Sequence, residues 1–246
     1  MLASWRETLT MTTGTAVLLF TLTSLLLSGC APSQIVTVTI YDQPDAFVRL
    51  ETDRTIDLLN SHTHPVHLSP EHLALLLGGI VFEEPWAKLP LYDDLSQPRR
   101  HPAFTESEIS LFAPLLATAL AKATPEELVT FYRSTSRSGS QRDVTSGGLY
   151  VQGEDLHLVL ANYRSPTHYS ADIGVADTLD DRLTPLRALA PQRGRLAFEP
   201  REAAREITES GLAKWFQEDK REVIVRYKAL QPRALSQPST PTAPRP

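Results

Sequence analysis

Cysteine is almost missing from this chain: Cys30 is the only one in 246 residues. A lone thiol excludes a disulfide framework within the chain, and with it the paired-cysteine motifs of zinc and redox sites. The patterns GxSxG, GxxxxGK[ST], HExxH, DTG and the EF-hand loop are absent as well, which removes the commonest signatures of hydrolytic, nucleotide-binding and calcium-binding chemistry. Basic residues form no block; 24 Lys and Arg stand against 29 Asp and Glu, for a net charge of -5. Such a balance repels phosphate backbones, so no nucleic-acid partner is expected. No uncharged run is apolar enough over about 20 residues to cross a bilayer as a helix. What is present, 41% apolar and 22% charged residues, is the composition of a folded, water-soluble body.

The longest apolar stretch, TAVLLFTLTSLLL at residues 15–27, is short and follows Arg6, and it has the length of the apolar region of a secretory signal. It runs directly into LSGC at residues 27–30. This tetrapeptide resembles the lipobox of bacterial lipoproteins, in which small residues precede a cysteine that is acylated and becomes the first residue of the mature chain. The resemblance implies a signal peptide over residues 1–29 and a lipidated Cys30. It also implies attachment to the lipid bilayer through two or three palmitate-like chains. A single chain holds only marginally, at about 0.8 kcal/mol per buried methylene, whereas several make attachment stable. Ala31, where an inner-membrane retention signal would have Asp, implies the outer membrane, with the body facing the periplasm. The alternative is an uncleaved anchor with Cys30 as a small buried hydrophobe.

Residues 30–34 form a tether too short to extend beyond roughly 20 Å. IVTVTI and AFVRLE, joined by DQPD, predict a strand pair. Ser69, Pro70 and Gly78 bracket a helix over residues 69–79, followed by a strand at IVFEE and a loop over residues 88–102. Thr105 and Glu108 form a capping box, with Phe104 and Ile109 placed as a hydrophobic staple, for a second helix that Pro114 should kink or divide. TPEE at residues 124–127 has the same box spacing and predicts a third helix through EELVTFY. The polar stretch RSTSRSGSQRD reads as a loop. GGLYVQ and LHLVLANY read as a hairpin with Leu156, Leu158 and Leu160 on one face. RLAFE and REVIVRYKAL are further strands, with a helical turn or two between them. The sum is an α+β fold: one domain over residues 35–230 with a largely antiparallel sheet and several short helices, preceded by a signal-peptide helix. Residues 231–246, with five prolines, form a disordered tail.

Four of seven histidines fall in SHTHPVHLSPEH, residues 61–72: His62, His64, His67 and His72. In an extended segment His62 and His64 share a face, where neutral imidazoles can chelate zinc. His62, His64 and His67 resemble the histidines of the metallo-β-lactamase superfamily motif HxHxDH. That resemblance implies a zinc-dependent hydrolase with later ligands among His101, His157, His168, Asp172 and Asp177. Val66 stands where the motif has Asp, and LSPE replaces its glycines, so the second metal position lacks its carboxylate. The competing reading is a polar turn, bracketed by Pro65 and Pro70, leading into a helix. Arg133, Arg137 and Arg142 offer guanidinium groups for a phosphate or glycan carboxylate, and Trp86 and Trp215 are candidate groove or core residues. With no catalytic residue assigned and no cofactor required, the expectation is a non-catalytic accessory or binding domain of the cell envelope, with an envelope protein as a partner. The zinc hydrolase and a small-ligand or glycan binder are the alternatives.

Overall fold

The computed structural model describes residues 35–56, 61–84, 99–138, 141–168, 181–190, 194–205 and 221–230. Cys30, Trp86, Trp215, Asp172, Asp177, the expected signal helix and the proline-rich tail lie outside the described residues. In chain order the elements are β1 (Val36–Gln43), β2 (Ala46–Thr52), α1 (Pro70–Gly78), β3 (Ile80–Glu83), β4 (Arg100–Pro102), α2 (Glu106–Lys122), β5 (Glu127–Ser138), β6 (Gln141–Gln152), β7 (Asp155–His168), β8 (Arg195–Phe198) and β9 (Glu222–Arg226). Six strands form one sheet in the order β1-β2-β5-β6-β7-β9, and three form a second in the order β4-β3-β8. Every pairing between these strands is antiparallel. The architecture is thus a mainly antiparallel α+β fold with an open sheet and two α-helices among the described residues.

Local signals place both helices. Ser69 Oγ accepts from the N–H of His72 and Pro70 opens α1 where no N–H is needed. Gly79 caps its C-terminal end, and only glycine fits there, because a Cβ would lie 2.6 Å from both the Glu199 carbonyl oxygen and the Phe198 ring. At the start of α2 the capping box forms as expected: Glu108 N–H donates to Thr105 Oγ1, and Thr105 N–H to Glu108 Oε2. Pro114, expected to kink or divide this helix, does not divide it; α2 is one helix of 17 residues. Pro114 is exposed, so the carbonyl that its ring leaves unbonded one turn earlier faces water rather than the core.

Leu73, Leu76 and Leu77 of α1 and Phe112, Leu116 and Leu120 of α2 pack on one face of the large sheet, against Val48, Leu50, Val129, Phe131, Leu149 and Val151. Leu156, Leu158 and Leu160 join them from β7, sharing a buried face as the alternation predicts. Phe131 lies 5.3 Å from Phe112 and 5.8 Å from Phe104, ring to ring. Burying each such side chain is worth about 2 kcal/mol.

Four expectations are corrected. EELVTFY is not a helix but the start of β5, paired residue for residue with β2 from Ala46 opposite Arg133 to Thr52 opposite Glu127. Glu127 does accept from Thr124 N–H, 2.8 Å away, as a capping box requires, yet Leu128, Val129, Thr130, Phe131 and Tyr132 are all buried. Five consecutive buried residues fit a strand covered on both faces better than a helix with one apolar stripe, and Val, Thr, Phe and Tyr favour the pleated form. RSTSRSGSQRD is likewise not a loop: β5 runs to Ser138 and β6 begins at Gln141. Residues 100–102, expected to belong to a loop, form the edge strand β4, and REVIVRYKAL is a strand only to Arg226 before a 3-10 turn, Tyr227–Ala229.

The second face of the large sheet is covered by residues 181–190. Arg182 donates to the carbonyls of Gln43 and Pro44 at 2.9 and 2.7 Å and to Asp42 at 2.6 Å. Its guanidinium lies over the stacked rings of Phe47 and Tyr132. Tyr132 donates its hydroxyl to Asp181, whose other oxygen accepts from Arg142 at 2.9 Å. Farther along, Ser146 donates to the Pro185 carbonyl and Asn162 bonds both Arg187 and Leu189. The strap is therefore held by side chains of the sheet it covers.

Candidate functional site

Where this strap leaves the sheet exposed, at its β5–β6–β7–β9 end, a cavity of about 380 Å³ opens. Its apolar walls are Ile56, Leu128, Val159 and Leu186; its polar walls are Asp53, Thr55, His62, Tyr150, Gln152 and Glu222. Gly148 forms part of the floor, because a Cβ there would press to 3.0 Å from Leu186 and 3.1 Å from Leu128.

Strand register brings the central groups together. Tyr150 stands opposite His157 across β6 and β7, and Val159 stands opposite Glu222 across β7 and β9. Tyr150 and His157 stack with centroids 4.6 Å apart, and His62 packs against Tyr150 at 4.4 Å. Imidazole rings thus contact Tyr150 from β7 and from the segment after β2. Glu222 Oε1 accepts from His157 Nδ1 at 2.8 Å and from the Tyr150 hydroxyl at 3.3 Å. Burial, and after it the charge of Glu222, pushes the Tyr150 phenol well above its usual range, so it stays protonated and donating.

Asp53 and His62 form a second carboxylate and imidazole pair, His62 Nε2 lying 3.0 Å from Asp53 Oδ2 with both residues buried. Burial alone raises the Asp53 carboxyl. Hydrogen bonds from His62, the Thr55 hydroxyl and the Thr55 N–H, with the His62 charge, outweigh it and hold the group at about 2. Asp53 is therefore ionised throughout the neutral range.

Residues 62–64 are fixed by the end of β6, just past the last pairing of β5 with β6. The N–H of Thr63 donates to the Val151 carbonyl at 2.7 Å, and the N–H of Val151 donates to His64 Nε2 at 3.1 Å. An imidazole that accepts at Nε2 carries its proton on Nδ1. Burial first, then the neighbouring His62, lowers the His64 pKa to about 4, which keeps it neutral. Nδ1 of His62 and of His64 meets no hydrogen-bond partner among the described residues.

The histidines read as candidate zinc ligands are thus dispersed. His62 and His64 lie 5.5 Å apart, ring to ring, with the His64 Nε2 lone pair engaged by a backbone N–H, while His67 is exposed. Val66, in the position of the missing Asp, packs against the core. His72 bonds the Tyr227 carbonyl at 2.8 Å, and His101 packs against Phe82 and Tyr163. The side chain of His168 is outside the described set. Among the described residues no group of three or more His, Cys, Asp or Glu side chains is placed to hold a metal ion.

The arginines do not converge either. Arg133 pairs with Asp45 at 3.1 Å, Arg137 with Asp143 at 3.4 Å, and Arg142 with Asp181 of the strap and Tyr132 of β5. Asp53, Tyr150 and Glu222 escaped sequence reading. Alternation places Tyr150 and His157 on the face opposite Leu149, Val151, Leu156 and Leu158, and Asp53 with Thr55 has the spacing of an Asx turn. The pairing of those strands, which makes them a site, has no local signal. No family model matches the chain, and no curated protein or solved structure matches it.

Proposed function

We propose that the chain is a bacterial lipoprotein. In this reading residues 1–29 form a signal-peptide helix removed on maturation, and Cys30 carries the acyl chains. The domain faces the periplasm from the outer membrane and binds a small ligand, without converting it, in the cavity between β5–β9 and Leu186. LSGC at residues 27–30 supports the anchoring.

The observation that carries the binding role is how the polar groups of the cavity are arranged. The Thr55 hydroxyl and His62 serve Asp53, and the Tyr150 hydroxyl and His157 serve Glu222. Among the described lining residues there is no serine or cysteine beside a base to act as a nucleophile. A partly apolar pocket with a few fixed polar groups suits selective binding.

Two measurements test the two halves. Cys30→Ala should lose metabolic acyl labelling and membrane sedimentation; a variant that stays in membranes with residues 1–29 intact shows an uncleaved anchor and overturns lipidation. Native mass spectrometry of the protein extracted gently from its membranes should find a bound small molecule. A consistently empty protein, or one that turns over what it binds, overturns the binding role.

A further inference from the structure

We infer that the ligand of this cavity is a small organic cation, an ammonium group carried on a short apolar body; this rests on reading the cavity as a binding site. Hydrogen-bond polarity is the main reason. Each donor in the wall that has a partner in it points at a carboxylate of the wall: Thr55 and His62 at Asp53, Tyr150 at Glu222, with His157 behind Tyr150 also on Glu222. What the wall offers a guest is therefore acceptors. His62, only 5% exposed, adds a buried polar atom without a mate: with Nε2 on Asp53, its Nδ1 has no partner among the described residues. Leaving such an atom unmatched costs about 1–3 kcal/mol, and a ligand that reaches it removes that cost. An ammonium brings three donors and no acceptor.

Charge agrees with polarity. Asp53 and Glu222 line the cavity, and no Lys or Arg is among its described lining residues. An anion entering here meets two carboxylates of its own sign, whereas a cation is attracted by both. Stacking is not the mode of recognition, because imidazoles already pack on Tyr150 from two elements. The remaining affinity comes from Ile56, Leu128, Val159 and Leu186, which fit a short hydrocarbon or aromatic body. The volume of about 380 Å³ sets the upper size, near the small end of ligand pockets.

The test is calorimetric titration of the full-length protein in detergent, at pH 7, with three probes of one shape: phenethylammonium, phenethyl alcohol and 3-phenylpropionate. Phenethylammonium should bind at least about tenfold more tightly than the alcohol, the equivalent of about 1.4 kcal/mol, and 3-phenylpropionate most weakly. Glu222→Gln keeps an oxygen for His157 and Tyr150 but removes the charge, and should cost the cation about tenfold while leaving the alcohol within about twofold. Gln152→Lys, on an exposed side chain of the rim, leaves the fold intact and should weaken the cation and strengthen the carboxylate. Equal binding of the three probes, tightest binding of the carboxylate, or binding of none overturns the inference. So does a co-purified compound without a cationic nitrogen, which leaves the binding role standing. Loss of anchoring in the Cys30 test leaves this titration unaffected.

Discussion

His64 accepts a hydrogen bond at Nε2 from a backbone N–H 87 positions away, and its burial there gives the molecule a pH response. Its pKa falls from 6.5 in the open chain to about 4 in the fold, so between these values the unfolded state binds more protons. Stability is complete above about pH 6.5, declines as pH falls towards 4, and flattens once both states are protonated. The loss should be on the order of 3 kcal/mol, read as a drop in urea midpoint. His64→Gln keeps an acceptor for Val151 and should remove this slope; an unchanged slope would assign it to another group. Asp53 adds a second decline at more acid pH, because its stabilisation is lost between about 4 and 2. That His62 and His64 share a face was legible in the alternation of HTH. That one of them serves Asp53 and the other β6 was not, since the partners are brought by the fold rather than by spacing.

At the level of elements, the well-read pieces are those whose ends carry their own chemistry. Ser69 with Pro70, Thr105 with Glu108, and the Pro44 turn all state their structure within four residues. β5 was misread because its local cue, Glu127 on Thr124, also precedes helices, while its true cause is burial on both faces by elements distant in sequence. The strap over residues 181–190 was invisible for the same reason. Pro114 allows a direct test of helix energetics. Its surroundings are solvent and α2 is unbroken around it, so Pro114→Ala restores one backbone hydrogen bond and should raise stability by about 1–2 kcal/mol, after allowance for the freer unfolded chain. A lowered melting temperature would mean that the proline is needed for how α2 lies on the sheet.

For the molecule as a whole, composition and strand patterning were enough to read a largely antiparallel α+β fold, but not which face would hold a site. The helices seal one face of the large sheet, and the strap seals part of the other, so the cavity keeps its Leu186 wall only while the strap is in place. Asp181 is the buried residue that ties it down, through Tyr132 and Arg142. Asp181→Ala leaves the guanidinium without that carboxylate and should cost about 3 kcal/mol in unfolding free energy. It should also open residues 181–190 to limited proteolysis well before the sheet unfolds, and weaken phenethylammonium binding in parallel. Cleavage and binding that remain as in the parent would separate the strap from the site.

β2 and β5 are distant in sequence: the side-chain hydrogen bond from Thr130 on β5 to Glu51 on β2 bridges 79 positions. A chain that emerges amino end first from its synthesis therefore begins with only a two-stranded ribbon, which water does not sustain alone, until β5 has emerged to join it. During that interval Phe47, Val48 and Leu50, fully buried in the finished fold, have no cover. The order of emergence thus becomes the order of assembly.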